Sequence, residues 1–220
     1  MSNSPRIDIN KLVWGEESNI YPKVGLFFGT FNPIHIGHQI IANYTLQTTD
    51  LDEIWFVVTP HNPHKKKSGL LEDYHRLAIV KEALIDTPRL KASDIEFGMP
   101  QPNYTVNTLA VLKEKYPKKQ FALIMGEDNL RSLHKWKNYE VILDNHPIVI
   151  YPRLRTIQEE LSEDLVENHL SERAKITFSD APVMNISASF IRKCIKEGID
   201  VKYMLSPTVY EYVDRMNFYK

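Results

Sequence analysis

A single cysteine, Cys194, is all this 220-residue chain carries, so an internal disulfide is excluded. Its charged helical surroundings show no setting for a reactive thiol, and it reads as structural. None of the eight glycines is followed by lysine, which excludes a Walker A loop, and no Gly-x-Gly-x-x-Gly follows the first apolar run. No apolar run reaches the roughly 18 residues that a membrane span needs. Residues 1–11 lack a signal peptide's apolar stretch. A cytoplasmic location without membrane attachment is expected. Charge of one sign is missing too: 27 Lys+Arg face 28 Asp+Glu, a net charge of −1, which excludes a general binder of nucleic acid or other polyanions. A hydrophobic fraction of 43% with 25% charged residues is instead the balance of a globular protein with a sizeable core.

What is present alternates. Short β-rich runs begin at Val24 to Phe28 and Ile54 to Val58, and continue at Leu90 to Ile95, Phe121 to Met125, Ile148 to Tyr151 and Ile176 to Phe178. Helical patterns lie between them. They run from about Gly37 to Thr48, through a face made of Leu71, Tyr74, Leu77, Ala78 and Leu84, through Val106, Leu109, Ala110 and Leu112, around Leu130 to Leu143, and from about Thr156 to Asn168. The runs at Ile54 and Phe121 are almost continuously apolar, as strands of a parallel sheet covered on both faces must be. The expected fold is α/β, one doubly wound domain over residues 23–220 with a mostly parallel sheet and helices on both faces. Residues 1–22 form a leader without an assignable role. Ligands of such sheets bind beyond the carboxyl ends of the strands, so motifs in those loops weigh most.

The first such loop is Gly29-Thr30-Phe31-Asn32-Pro33-Ile34-His35-Ile36-Gly37-His38. Gly29 is expected to permit a sharp turn, and Gly37 to let a ligand approach the helix start, where N–H groups are unpaired and the dipole is positive. His35 and His38 flank that anion site and are suited to donate to phosphate oxygens. Taken alone, two loop histidines are as readily a helix cap and a bystander. A second anion site is expected at Ile186-Ser187-Ala188-Ser189-Phe190-Ile191-Arg192, where Ser187 caps a helix and Arg192 adds a bidentate fork one turn on. Its plain alternative is a capped surface helix.

After the second strand comes Thr59-Pro60-His61-Asn62-Pro63-His64-Lys65-Lys66-Lys67, either a solubilising charge run or a third set of phosphate contacts. Zinc at His35, His38, His61 and His64 is disfavoured, because Pro63 breaks any helical His face and no cysteine or nearby carboxylate completes a set. No metal is assigned to protein ligands. Gly126 and Asp128 close the fourth strand, where an acid suits ribose hydroxyls. Trp136 serves either the core or the stacking of an aromatic base.

The His35-Ile36-Gly37-His38 segment resembles the His-x-Gly-His signature of the nucleotidyltransferase superfamily, and the remaining motifs, in order, resemble the bacterial nicotinate-nucleotide adenylyltransferases. That resemblance implies a Rossmann-like nucleotidyltransferase domain that transfers an adenylyl group from ATP to nicotinate mononucleotide, with Mg²⁺ carried on the ATP phosphates. It implies catalytic roles for His35, His38, Arg192 and Lys65. ATP is then met by Gly29, Thr30, Phe31, His35, Gly37, His38, Gly126, Asp128, Ile186, Ser187, Ser189 and Arg192. The mononucleotide is met by His64, Lys65, Tyr104, Thr105 and Trp136, with Trp136 on the pyridine ring and the backbone near Tyr104, Thr105 and Trp136 on its carboxylate. Two positions depart from the family pattern: Phe28 stands for a glycine and Asn32 for an aspartate. Small molecules are the expected partners. Sister transferases acting on nicotinamide mononucleotide, a pantetheine phosphate or a polyol phosphate remain alternatives, as does a nucleotide sensor without turnover.

Overall fold

The computed structural model describes residues 11–14, 20–60, 69–154 and 175–220. Six strands, β1 (Lys23–Gly29), β2 (Glu53–Val58), β3 (Leu90–Ser93), β4 (Gln120–Gly126), β5 (Ile148–Tyr151) and β6 (Ile176–Phe178), form one sheet in the order β3-β2-β1-β4-β5-β6. Every pairing is parallel. The chain therefore winds outward from β1 through β2 to β3, returns, and winds the other way through β4 to β6. The reversal leaves a crevice beyond the carboxyl ends of β1 and β4, where ligands of such sheets bind.

Strand periodicity explains why both faces are dry. In β4, Phe121, Leu123 and Met125 enter one apolar cluster, while Ala122 and Ile124 enter the other. Helices α1 (Ile36–Thr48) and α2 (Asp73–Ala83) cover the second face, joined by α6 (Ala188–Lys196) and α7 (Pro207–Arg215). Helices α3 (Thr105–Lys115), α4 (Glu127–Ser132) and α5 (Tyr139–Asn145) cover the first. Burying a side chain such as Phe56, which is wholly enclosed, contributes about 1.5–3 kcal/mol. Cys194 lies in this core.

Several expectations need correction. The inward stripe of α2 is Arg76, Ile79, Val80 and Ala83, whereas Tyr74 faces solvent and Leu71 and Leu84 fall outside the helix. Hydrophobic periodicity misplaced this face because its first inward residue is a charged one. In α3, Ala110 is exposed and Thr108 is buried in its place. The segment from Leu130 to Leu143 is not one helix: α4 gives way to a 3₁₀ turn at Leu133–Lys135, and Asn138 at φ +50° starts α5. The third strand stops at Ser93. Helix α7, begun by Pro207 at its first turn, was not anticipated. The helix expected from Thr156 to Asn168 lies outside the described residues.

Part of the leader is docked. Leu12 is buried, its N–H donates to Asp50 Oδ1 at 3.1 Å, and Trp14 Nε1 donates to Asp50 Oδ2 at 3.2 Å. Lys23 Nζ joins the same carboxylate at 2.6 Å. This anchor sits at the amino ends of β1 and β2, away from the crevice.

Candidate active site

A cleft of about 550 Å³ opens at the crevice, within the range that small ligands occupy, roughly 300–1,000 Å³. Its walls bring together Gly29, Thr30, Phe31, His35 and His38 from the first loop, Ser187, Ser189 and Arg192 from α6, Asp128 and Trp136 beyond β4, and Tyr104 and Thr105 at the start of α3. Gly37, Gly126 and Ile186 are not among the residues that line the cleft. His61, His64, Lys65, Lys66 and Lys67 lie outside the described residues. A smaller hollow of about 240 Å³ near Ile199, Tyr210 and Lys220 contains none of these motifs.

The first loop turns differently from expectation. Its left-handed residue is Phe31, at φ +44°, and not Gly29. Gly29 is required for space instead: a Cβ there would lie 2.7 Å from the Phe31 ring. That ring is buried against Phe27, Phe56 and His38, so Phe31 supports the cleft from the core side. Gly37 likewise makes room for the protein itself. A Cβ on it would come within 3.1 Å of His35 Nδ1, so this glycine admits the His35 imidazole to the helix start.

His35 is the N-cap of α1, and its ring stacks on that of His38 with centroids 3.7 Å apart. Burial, with the nearby positive charge of Arg153 as the lesser cause, lowers its pKa to about 4. His35 is therefore a neutral imidazole at pH 7. Its backbone N–H donates to His38 Nδ1 at 3.2 Å, which fixes the proton of His38 on Nε2. The pair thus presents protonated nitrogen beside the helix terminus without burying two cations together.

Two arginines organise the loops. Arg76, wholly buried, donates to the carbonyls of Thr30 (2.6 Å), Thr59 (2.8 Å), Pro60 (3.1 Å) and Leu71 (2.9 Å), and pairs with Asp73. It ties the carboxyl ends of β1 and β2 together, and its planar fork of five donors suits that task as an ammonium would not. Arg192 donates through Nη1 to the Asn32 carbonyl at 2.7 Å and approaches Ser189 Oγ at 3.4 Å through Nη2. Ser187 Oγ accepts from the Phe190 N–H at 3.2 Å, the expected N-cap.

Across the cleft, Asp128 Oδ2 accepts from Arg153 Nη1 at 3.0 Å. A Cβ on Gly126 would lie 2.5 Å from Asp128 Oδ1 and 3.0 Å from Arg153 Cδ, so that glycine makes the pair possible. Trp136 is half-buried against the core and also lines the cleft. Its backbone N–H, however, donates to the Leu133 carbonyl at 2.9 Å, so the expected role of that N–H toward a carboxylate is not supported. Tyr104 is the extended N-cap of α3 and caps it with no side-chain bond; Lys137 Nζ lies 4.8 Å from its ring centroid.

Arg76, Arg153, Glu96 and Lys137 went unread in the sequence. Arg153 follows the carboxyl end of β5, so the strand-end rule could have singled it out. Glu96 is buried at the cleft wall with a pKa raised by burial, and Thr108 Oγ1 donates to it at 2.7 Å. For Arg76, within an apolar helical stripe, no local signal exists.

A family model described as cytidylyltransferase-like matches residues 26–194. Curated relatives include a protein described as a probable nicotinate-nucleotide adenylyltransferase from Flavobacterium psychrophilum, 57% identical over 90% of this chain and 99% of its own length. One so described from Cytophaga hutchinsonii is 43% identical over 90% and 98%. Among solved structures, the Plasmodium falciparum nicotinic acid mononucleotide adenylyltransferase complexed with NaAD aligns with a TM-score of 0.68 at 20% identity, covering 90% of this chain and 98% of that one. That likeness concerns the fold alone.

Proposed function

The chain belongs to the cytidylyltransferase-like family and, within it, to the nicotinate-nucleotide adenylyltransferases, and from that premise we propose which of its residues carry the transfer. The enzyme joins nicotinate mononucleotide to the adenylyl group of ATP, a step of NAD biosynthesis. An oxygen of the mononucleotide 5′-phosphate attacks the α-phosphorus, the bond from that phosphorus to the α,β-bridging oxygen breaks, and pyrophosphate leaves. Such a transfer asks a protein for alignment and for stabilisation of charge on the phosphoryl oxygens, not for a covalent nucleophile.

His38 and His35 are assigned to the α-phosphate, because both line the cleft at the N-terminus of α1, where the helix dipole favours an anion, the first-turn N–H groups of Ile36 and His38 being given to the Met204 and His35 carbonyls. Ser187, Ser189 and Arg192 at the start of α6 are assigned to the outer phosphates. Asp128 is assigned to the ATP ribose, which requires it to loosen from Arg153. Trp136 is assigned to the pyridine ring, and the first-turn N–H groups of α3 near Tyr104 and Thr105 to the nicotinate carboxylate. Lys65 and His64 complete the phosphate contacts from the loop after β2. Residues 23–220 form the transferase domain, residues 1–22 a leader, and the cytoplasm is the place of action.

Among the described residues no helix is long and apolar enough to cross a membrane. Nor does any group of three His, Cys, Asp or Glu form a metal cage among them, and each cleft carboxylate has one oxygen engaged, Asp128 Oδ2 by Arg153 and Glu96 Oε1 by Thr108. The residues present thus fit Mg²⁺ that arrives on the triphosphate and keeps its own waters. When bound it neutralises phosphate charge.

The observation that carries these assignments is the convergence of the His35–His38 stack, the α6 N-terminus and Arg192 on one cleft. The deciding experiment is His38→Ala. Loss of one such donor lowers kcat about 10²–10³-fold with little change in KM. A folded variant within about threefold of the parent, 0.65 kcal/mol or so, removes His38 from the mechanism.

A further inference from the structure

Asn32 joins four parts of the chain. Its Oδ1 accepts from the Tyr219 hydroxyl at 2.9 Å and from the Leu71 N–H at 3.3 Å, and its Nδ2 donates to the Gly69 carbonyl at 2.8 Å. Its backbone carbonyl is the one that holds Arg192. The side chain is almost wholly buried. An aspartate, which the family pattern usually places here, has no proton to give Gly69, so this network uses both ends of the amide.

The partner reached from farthest away is Tyr219, 187 residues along the chain. Its segment is shaped to deliver a hydroxyl. Asn217 at φ +53° and Tyr219 at φ +69° occupy the left-handed region, sparsely populated for a tyrosine, and such strain persists only where the surroundings enforce it. Between them the Phe218 N–H bonds the Val213 carbonyl at 3.1 Å, and its ring packs against His75. Burial raises the Tyr219 pKa, against the opposing pull of Arg192 and Arg76, so the hydroxyl stays a donor.

We propose that Tyr219 is a positioning residue for adenylyl transfer: its hydroxyl fixes the Asn32 side chain, and through it the carbonyl that anchors Arg192 and the turn that leads into His35 and His38. The tyrosine touches neither substrate. It sets the relative placement of the two helix starts that grip the phosphates. This rests on the assignment of His38 and Arg192 to the reacting phosphates.

Tyr219→Phe keeps the ring and removes the hydroxyl. In the full chain, kcat is expected to fall about fivefold, the worth of one hydrogen bond realised at the transition state. KM for ATP and for nicotinate mononucleotide should each stay within about twofold of the parent, and the melting temperature should fall by no more than about 4 °C, the worth of one buried hydrogen bond in a domain of this size. In an Asn32→Ala background, removing the hydroxyl should cost nothing more, because its partner is gone. Parental kcat in Tyr219→Phe overturns the proposal, as does an unchanged rate per folded molecule with a lowered melting temperature. Equal losses in both backgrounds show that the hydroxyl acts elsewhere and overturn it too. If Asn32→Ala does not fold, the single variant decides. His38→Ala separates the two readings: a parental rate there defeats the site assignment, whereas an inactive His38→Ala beside a fully active Tyr219→Phe defeats only the role of the tyrosine.

Discussion

Arg192 Nη1 and the carbonyl of Asn32 are 2.7 Å apart although 160 residues separate them in the chain. The guanidinium therefore holds the first loop with one edge and lines the cleft with the rest. Arg192→Lys is expected to lose one of these functions, because an ammonium is a point charge without a fork. KM for ATP should rise about tenfold, one charge-assisted hydrogen bond, with kcat reduced as the loop loosens. Separate KM values for ATP and the mononucleotide check this; a defect confined to the mononucleotide contradicts the assignment of α6 to the triphosphate.

Gly126→Ala tests the far wall. The added methyl meets Asp128 Oδ1 at 2.5 Å, so Asp128 and Arg153 must separate. The Asp128 side chain is 36% exposed, so loss of the ion pair itself costs under about 1 kcal/mol. KM for ATP should change severalfold while KM for the mononucleotide does not. Unchanged ATP kinetics count against a role for Asp128 at the ribose.

His35 gives stability a pH dependence of known sign. Unfolded, it takes a proton below about 6.5; folded, it resists until about pH 4. Between those values the unfolded state binds more protons, so stability is present above pH 6.5 and is lost as pH falls toward 4, by about 3 kcal/mol in all. Urea unfolding of parent and His35→Asn at pH 7.5, 6 and 4.5 measures it. The part of the slope that vanishes in the variant belongs to His35, and parallel curves remove it.

Trp136→Ala removes the stacking face but not the donors of α3. Both nicotinate and nicotinamide mononucleotide should bind about tenfold or more weakly, since stacking on an aromatic face is worth about 1–3 kcal/mol per base. Their ratio of kcat/KM should hold, because the ring face does not read the carboxylate and the Trp136 N–H is engaged with Leu133. Kinetics with both mononucleotides decide; a collapsing ratio shows that the ring also sets the angle of the pyridine.

The strands and the histidine loop were legible because local rules govern them: period-two apolar runs, and a strand-end loop whose residue types suit phosphate. Ser187 was legible as a cap for the same reason. The inward face of α2 was not, since Arg76 owes its place to carbonyls of two distant loops. The break at Asn138 was hidden by an apolar pattern that continues across it. The space that Gly29 and Gly37 leave for Phe31 and His35 was not legible, because sequence spacing does not show which neighbour a missing Cβ accommodates. Asn32 looked like the loss of a carboxylate, and only the positions of Gly69, Leu71 and Tyr219 show what the amide gains.

The buried guanidinium of Arg76 also governs how the molecule opens. With its donors committed to four carbonyls and one carboxylate, neither loop can lift away without stranding charge and donors out of reach of water, at a cost of about 3–5 kcal/mol. The ends of β1 and β2 must therefore exchange their amide hydrogens as one cooperative unit. The Thr59 amide, bonded to the Gly29 carbonyl at 2.9 Å, is its reporter and should exchange only through that joint opening.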